Sequence, residues 1–74
     1  KSYSMNTQDE KFIKEIAETF RKTREKLKLT QAEVAEKAGM HVSYYARIER
    51  GEINLSAIKM HQIAKVLKIK ILSR

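Results

Sequence analysis

A chain of 74 residues, 42% hydrophobic and 34% charged, is long enough for one small folded domain, and its composition is unlike that of a disordered chain. The sequence has no cysteine, which excludes disulfides and thiolate metal sites, and no apolar run reaches the roughly 20 residues of a membrane-spanning helix. The formal net charge is +7, and most of the excess follows Glu36, where eight basic residues accompany only Glu49 and Glu52. This distribution indicates a polyanionic partner, and the absence of a secretory pattern favours a cytoplasmic protein.

The first predicted element is one amphipathic helix of about 20 residues. Thr7 and Glu10 have the spacing of a capping box, in which each side chain bonds a free amide at the start of a helix. The apolar residues that follow recur at three and four positions, interrupted near Thr23, and predict one inner face: Phe12, Ile13, Ile16, Ala17, Phe20 and Leu27. Met5 is a possible natural start, which would make residues 1–4 artificial. We expect residues 1–6 to be a disordered or artificial tail and residues 7–74 to form a single domain.

Two short helices are predicted next, with a glycine-containing turn between them. Thr30 and Glu33 repeat the capping-box spacing, so the second helix begins at about residue 31, and Gly39 ends it. The third helix begins at about residue 42, points Tyr45 and Ile48 inward, and ends at residue 51. The buried stripe of the second helix consists of Val34, Ala35 and Ala38. The side of the third helix opposite its two inner residues carries Val42, Ser43, Ala46, Arg47 and Arg50.

A fourth helix is predicted after Ser56, which is positioned to cap it. Its inner face contains Ala57, Met60, Ile63, Ala64 and Leu67. Residues 68–72 then alternate between basic and apolar types, a pattern that fits a short extended segment and fits the first turn of another helix equally well. We therefore expect an all-α fold, a compact four- to five-helix domain with a possible short extended segment at its C-terminal end.

The second and third predicted helices, joined by a turn of three or four residues, have the geometry of a helix-turn-helix. The residues are more specific than the spacing: 29–39 read Leu-Thr-Gln-Ala-Glu-Val-Ala-Glu-Lys-Ala-Gly, and 43–51 read Ser-Tyr-Tyr-Ala-Arg-Ile-Glu-Arg-Gly. Over roughly residues 20–67, this combination resembles the phage repressor and Cro superfamily, the XRE family of transcriptional regulators. The resemblance implies a sequence-specific regulator, a repressor or autoregulator, that binds double-stranded DNA and reads the major groove with helix 42–50.

The resemblance also implies roles for single residues. Val42, Ser43, Ala46 and Arg47 match positions that contact base edges, and Arg47 is the strongest candidate because a guanidinium binds guanine at two atoms. The positions that contact DNA phosphates are matched by Gln31, Tyr44 and Arg50. Arg24 and Glu49 match an interior ion pair that ties the first helix to the end of the third.

We expect no enzyme activity, no metal site and no cofactor. The sequence shows no catalytic triad, phosphate-binding loop or metal-ligand cluster, and His41 and His61 fit ordinary surface or cap positions. Three residues depart from the family pattern. Thr23 stands where leucine is usual, Lys28 where glycine is frequent, and Leu55 where proline is common.

The expected partner is a double-stranded DNA operator, bound by a homodimer. Most relatives pair through a fifth helix, and because the sequence ends at Arg74 we expect another pairing surface here. The candidates are the apolar positions of the fourth helix and the tail: Ile58, His61, Ile69, Ile71 and Leu72. Alternatively, Ile69 and Ile71 only seal the core of the monomer. A different function also fits the fold, that of an antitoxin or adaptor acting mainly through a protein partner.

Overall fold

The computed structural model describes residues 7–69, apart from the side chain of Thr7, and these residues form four helices. Helix α1 spans Thr7–Lys26, α2 spans Gln31–Ala38, α3 spans Val42–Glu49 and α4 spans Ala57–Leu67. No strand occurs within residues 7–69, so the predicted all-α fold is confirmed. The extended segment or further helix predicted at 68–72 lies outside the described residues from residue 70 onward. None of the four helices has both the length and the apolar character needed to cross a membrane.

Helix α1 contributes to the core mainly through its middle turns. Ala17 and Phe20 are buried and Ile16 packs at the edge of the core, but Phe12 is 60% exposed and Leu27 is 40% exposed. The predicted inner face is therefore wrong at Phe12 and Leu27. At 1.5 Å per residue α1 is about 30 Å long, whereas α3 and α4, which pack against it, are about 12 and 17 Å long. Each of these two helices therefore covers only part of the length of α1.

Helix α2 begins and ends where its local sequence requires. The Thr30 hydroxyl accepts a hydrogen bond from the Glu33 amide at 3.0 Å, and the Glu33 carboxylate accepts one from the Thr30 amide at 2.8 Å. This confirms the predicted capping box, whereas the box proposed at the start of α1 involves a side chain outside the described ones. Gly39 ends α2 in the left-handed conformation, with φ +75°, and the following amide of Met40 reaches the Ala35 carbonyl at 2.9 Å.

The core lies where α2 packs on α3 and α4, with α1 closing it from the other side. Tyr45 and Ile48 of α3 point inward as predicted, and Ser56 caps α4 by accepting the Lys59 amide at 3.2 Å. The central cluster consists of Phe20, Val34, Ala35, Ala38, Tyr45, Ile48, Ile63 and Leu67. Each large side chain buried here contributes about 1.5–3 kcal/mol to the free energy of folding, before the entropy of ordering is subtracted.

Two expectations for α4 and its surroundings need correction or completion. Ala57 is exposed rather than internal, because it is the first residue of α4 and the core contacts begin one turn later. Ile69, just beyond α4, packs against the core cluster. This agrees with the alternative that Ile69 seals the core of the monomer. Ile71 and Leu72 lie outside the described residues.

Candidate nucleic-acid interface

Four of the predicted site residues share the side of α3 that faces away from the core. Val42, Ser43 and Arg47 are exposed and Ala46 is half-buried. At 100° per residue these positions span an arc of about 140°, opposite the inward-facing Tyr45 and Ile48. We call this surface the outer face of α3. Three of its four side chains are small or short, so a ligand can approach the helix closely beside one long cationic side chain.

The start of α3 is capped by His41, whose ring also contacts the outer face. The Nδ1 atom of His41 accepts the Ser43 amide at 3.2 Å and lies 2.8 Å from the Ser43 hydroxyl oxygen. A ring nitrogen that accepts a backbone amide carries no proton, so this geometry assigns the ring proton to Nε2. A cap role for His41 was expected from the sequence, but its contact with Ser43 was not. The signal was present, since a cap residue bonds the amide two or three positions ahead.

The two arginines at the C-terminal end of α3 share one carboxylate. Arg50 Nε and Nη2 donate to Glu52 at 2.8 and 3.4 Å, and Arg47 Nε donates to the same carboxylate at 3.4 Å. These hydrogen bonds raise the pKa of Arg50 and lower the pKa of Glu52, so both groups are charged at neutral pH. No role for Glu52 was predicted from the sequence. The available signal was its place after Gly51, because a glycine that ends a helix turns the next residue back toward the last turn.

Behind the outer face, Arg24 of α1 and Glu49 of α3 form an ion pair in the interior. Arg24 Nε and Nη2 donate to the two Glu49 oxygens at 2.7 and 3.1 Å, and Arg24 Nη1 donates to the Leu29 carbonyl at 2.9 Å. The side chains of Arg24 and Glu49 are only 14% and 3% exposed. The guanidinium thus joins α1, the loop before α2 and the end of α3.

The same environment sets the protonation of Glu49 and its buried neighbour Tyr45. Burial opposes ionisation of Glu49, but hydrogen bonding from Arg24, with support from the Tyr45 and Gln31 polar groups, lowers its pKa overall. Burial, together with the adjacent Glu49 carboxylate, raises the pKa of Tyr45 far above its ordinary value. The Tyr45 hydroxyl lies outside hydrogen-bond geometry with any described atom, so its contact with Glu49 is electrostatic. At neutral pH Glu49 is therefore ionised and Tyr45 is not.

A helix-turn-helix family model matches residues 20–72, which is well over half of the chain. The chain belongs to the XRE-type helix-turn-helix family. At the level of that family it is a DNA-binding transcriptional regulator, and the family is one of regulators rather than of enzymes. No curated protein matches the chain.

In this helix-turn-helix the predicted phosphate-binding residues have different surroundings. Gln31, the first residue of α2, is half-buried and donates from Nε2 to Glu49 at 3.0 Å. An amide nitrogen carries two hydrogens, so one of them remains for a further acceptor. Tyr44 is half-buried, with the Lys59 ammonium 5.7 Å from the centre of its ring. Arg50 is exposed beside Glu52.

The departure from the family at Lys28 has a visible consequence. Lys28 has φ +61°, in the left-handed region, and its amide and that of Leu29 bond back to the carbonyls of Glu25 and Arg24 at 3.0 Å each. Glycine is favoured in such a conformation because it has no Cβ. The structure thus explains why relatives often have glycine at this turn between α1 and α2.

Proposed function

We propose that this protein is a repressor or autoregulator that binds a specific double-stranded DNA site through the outer face of α3. The observation that carries the proposal is that this face presents Arg47 among short side chains, while the core uses only the opposite side of the helix. A recognition helix enters the major groove with such a face against the base edges. Residues 7–74 act as one DNA-binding domain, in the cytoplasm, as expected of a regulator similar to phage repressors.

Each residue of the outer face has a chemical role in this proposal. Arg47 binds the O6 and N7 acceptors of a guanine through two guanidinium nitrogens. Val42 and Ala46 contact thymine methyl groups, and the Ser43 hydroxyl, next to His41, bonds a base edge. These contacts give sequence preference, because each base pair presents a different pattern of donors, acceptors and methyl groups in the major groove.

The phosphate contacts come from the edges of the same surface. The free hydrogen of the Gln31 amide, the amides at the start of α2, Tyr44 and Arg50 bind backbone phosphates on either side of the groove. Because Gln31 also bonds Glu49, the interior ion pair holds one phosphate-binding side chain in position. These contacts set the register of α3 in the groove but do not distinguish sequences.

Two copies of the chain bind one pseudo-palindromic operator in this proposal. A single recognition helix covers about half of a typical operator, and dimers place two such helices about one DNA turn apart. For the pairing surface we propose the exposed side of α4, where Ile58 is 71% exposed and His61 is also exposed. Replacing Ile58 with aspartate gives a folded monomer if this is the interface, and light scattering together with circular dichroism measures both properties. A folded dimer in the variant excludes this surface.

Selection of bound duplexes from a random DNA pool tests the function itself. We expect wild type to enrich one motif. Arg47→Ala lowers the binding free energy for this motif by about 1–3 kcal/mol and relaxes the preference at one base pair. Gln31→Ala weakens binding to all sequences by a similar amount. The matched control is Arg21→Ala, which removes a surface arginine from α1 that pairs with Glu25. If Arg47→Ala changes neither affinity nor the selected motif, the proposed face is wrong.

A salt titration separates DNA binding from the antitoxin or adaptor alternative. Each phosphate neutralised by the protein contributes about −0.9 to the slope of log K against log salt concentration. We expect a steep fall of affinity for the selected duplex as salt rises, because Arg47, Arg50 and the nearby lysines meet phosphates and bases together. DNA binding that is weak and nearly independent of salt would favour action through a protein partner.

A further inference from the structure

Glu52 stands out chemically in the basic half of the molecule. Within residues 37–69 it is the only acidic residue besides Glu49, and Glu49 is paired in the interior with Arg24. Glu52 is exposed, and its two oxygens receive three hydrogen bonds from Arg47 and Arg50. The only surface carboxylate of this half therefore sits on the two arginines that the proposed function assigns to DNA.

The backbone places Glu52 there. Gly51 has φ +74°, its amide bonds the Ile48 carbonyl at 3.0 Å, and the Glu52 amide bonds the Arg47 carbonyl at 3.1 Å. This pair of bonds is the glycine-ended closure of a helix, and it returns residue 52 to the level of residue 47. The carboxylate is thus held near both guanidinium groups by the turn that ends α3, and not only by the reach of flexible side chains.

The two arginines are engaged unequally. Arg50 gives both Nε and Nη2 to Glu52, with the shorter bond at 2.8 Å. Arg47 gives only Nε, at 3.4 Å, and its two Nη atoms donate no hydrogen bond to a described residue. A guanine can therefore bind Arg47 through the Nη atoms while Glu52 stays in place. A phosphate that binds Arg50 has to displace the carboxylate or lie next to its negative charge.

We propose that Glu52 is a specificity-determining residue, which opposes phosphate binding at Arg47 and Arg50 and leaves the base-binding nitrogens of Arg47 free. This inference rests on the proposed function. On an unselected duplex both arginines meet phosphates, whose negative charges the Glu52 carboxylate repels. On the operator Arg50 meets a phosphate as well, but Arg47 binds an uncharged base edge through nitrogens that Glu52 does not occupy. Glu52 accordingly weakens binding to unselected DNA more than binding to the operator.

The test compares wild type with Glu52→Gln, which has the same shape and no charge. We measure affinity for the selected operator and for an unselected duplex of equal length at several salt concentrations. The variant binds both duplexes more tightly at 0.1 M salt, and the gain on the unselected duplex exceeds the gain on the operator by about two- to threefold. Its slope of log K against log salt on the unselected duplex is steeper by about one phosphate equivalent.

The matched control is Glu18→Gln on α1. Glu18 is a paired surface carboxylate like Glu52, with its side chain 54% exposed against 46%, and it bonds Lys22 at 3.1 Å. The Glu18→Gln substitution changes the net charge by the same amount at a site away from α3. The ratio of operator affinity to unselected-duplex affinity therefore stays at the wild-type value. Glu52→Ala serves as a second variant that also removes the charge, and circular dichroism verifies that all variants are folded.

Each result decides the inference. A falling ratio of operator to unselected affinity in Glu52→Gln, absent from Glu18→Gln, supports it. The inference is overturned by an equal gain of affinity for both duplexes, by no change in either affinity, or by a loss of affinity for the operator alone. The last result would mean that Glu52 only orients the arginines. If wild type binds neither duplex, the proposed function fails as well. If wild type selects its operator and the ratio is unaltered in the variant, only this inference fails.

Discussion

Replacing Arg24 with methionine tests how strongly the fold depends on the interior ion pair. Methionine retains an unbranched apolar side chain but removes the donors at 2.7 and 3.1 Å to Glu49 and at 2.9 Å to the Leu29 carbonyl. The Glu49 carboxylate, whose side chain is 3% exposed, then keeps the Gln31 amide as its one remaining described hydrogen-bond donor. The substitution therefore leaves a charge in the interior without its counter-charge.

The expected loss of unfolding free energy is about 3–5 kcal/mol, the usual cost of removing one partner of a buried pair. A folded domain of this size is stable by roughly 4–11 kcal/mol, so the loss amounts to between about a quarter and all of it. The pair itself need not contribute that much, because burying both charges costs desolvation energy. Adding Glu49→Gln to Arg24→Met removes the unpaired charge and therefore restores at least about 2 kcal/mol.

Urea unfolding at pH 7, followed by far-ultraviolet circular dichroism, gives the free energies for wild type, both single variants and the double variant. Arg21→Met is the control on the same helix. Arg21 forms a surface pair with Glu25 at 3.3 Å, the side chains being 42% and 54% exposed, and its loss costs at most about 0.5 kcal/mol. If Arg24→Met is no more costly than Arg21→Met, or if the double variant is no more stable than Arg24→Met, the reasoning is refuted.

The dependence on pH gives an independent reading of the same pair. In wild type the pKa of Glu49 lies below its ordinary value of 4.5. Ionised Glu49 therefore stabilises the fold fully above pH 4.5, and this stabilisation is lost as the pH falls through the lowered pKa. In Arg24→Met burial dominates and the pKa of Glu49 is raised. As the pH falls, protonation of Glu49 removes the cost of burying its unpaired charge. The difference in unfolding free energy between wild type and Arg24→Met therefore narrows between pH 7 and pH 4. A difference that stays constant over this range contradicts the assignment.

Three further substitutions test local features, all by thermal or urea unfolding. Gly51→Ala is more destabilising than Gly39→Ala. Both glycines have positive φ, but only a Cβ at Gly51 meets another side chain, that of Lys14 at 3.0 Å. Equal losses of stability in the two variants would contradict this. Thr30→Ala removes the cap of α2 and lowers stability by about 1 kcal/mol, and an unchanged midpoint would mean that the capping box is not formed in solution. Lys28→Gly relieves a left-handed lysine and raises stability by about 0.5–1 kcal/mol, whereas a loss would show that the lysine side chain matters more than the backbone.

The sequence determined the helices and their ends, because these depend on residues only a few positions apart. The Thr30 capping box and the left-handed Gly39 involve contacts within one turn, and the 3.6-residue period marks the side of α3 that carries Tyr45 and Ile48. The three-residue turn between α2 and α3 follows directly from these ends. Family resemblance then supplied the pairing of Arg24 with Glu49, which lie 25 residues apart and which no local pattern connects.

Only the tertiary structure decided which apolar side chains are covered and which polar groups meet. Periodicity placed Phe12 on the apolar side of α1, but its 60% exposure depends on where the rest of the chain packs against that side. The bond from Gln31 to Glu49, which lie 18 residues apart, arises from how the start of α2 and the end of α3 are brought together. A local pattern specifies the direction in which a side chain leaves its own helix, whereas the packing of the other helices determines what it encounters there.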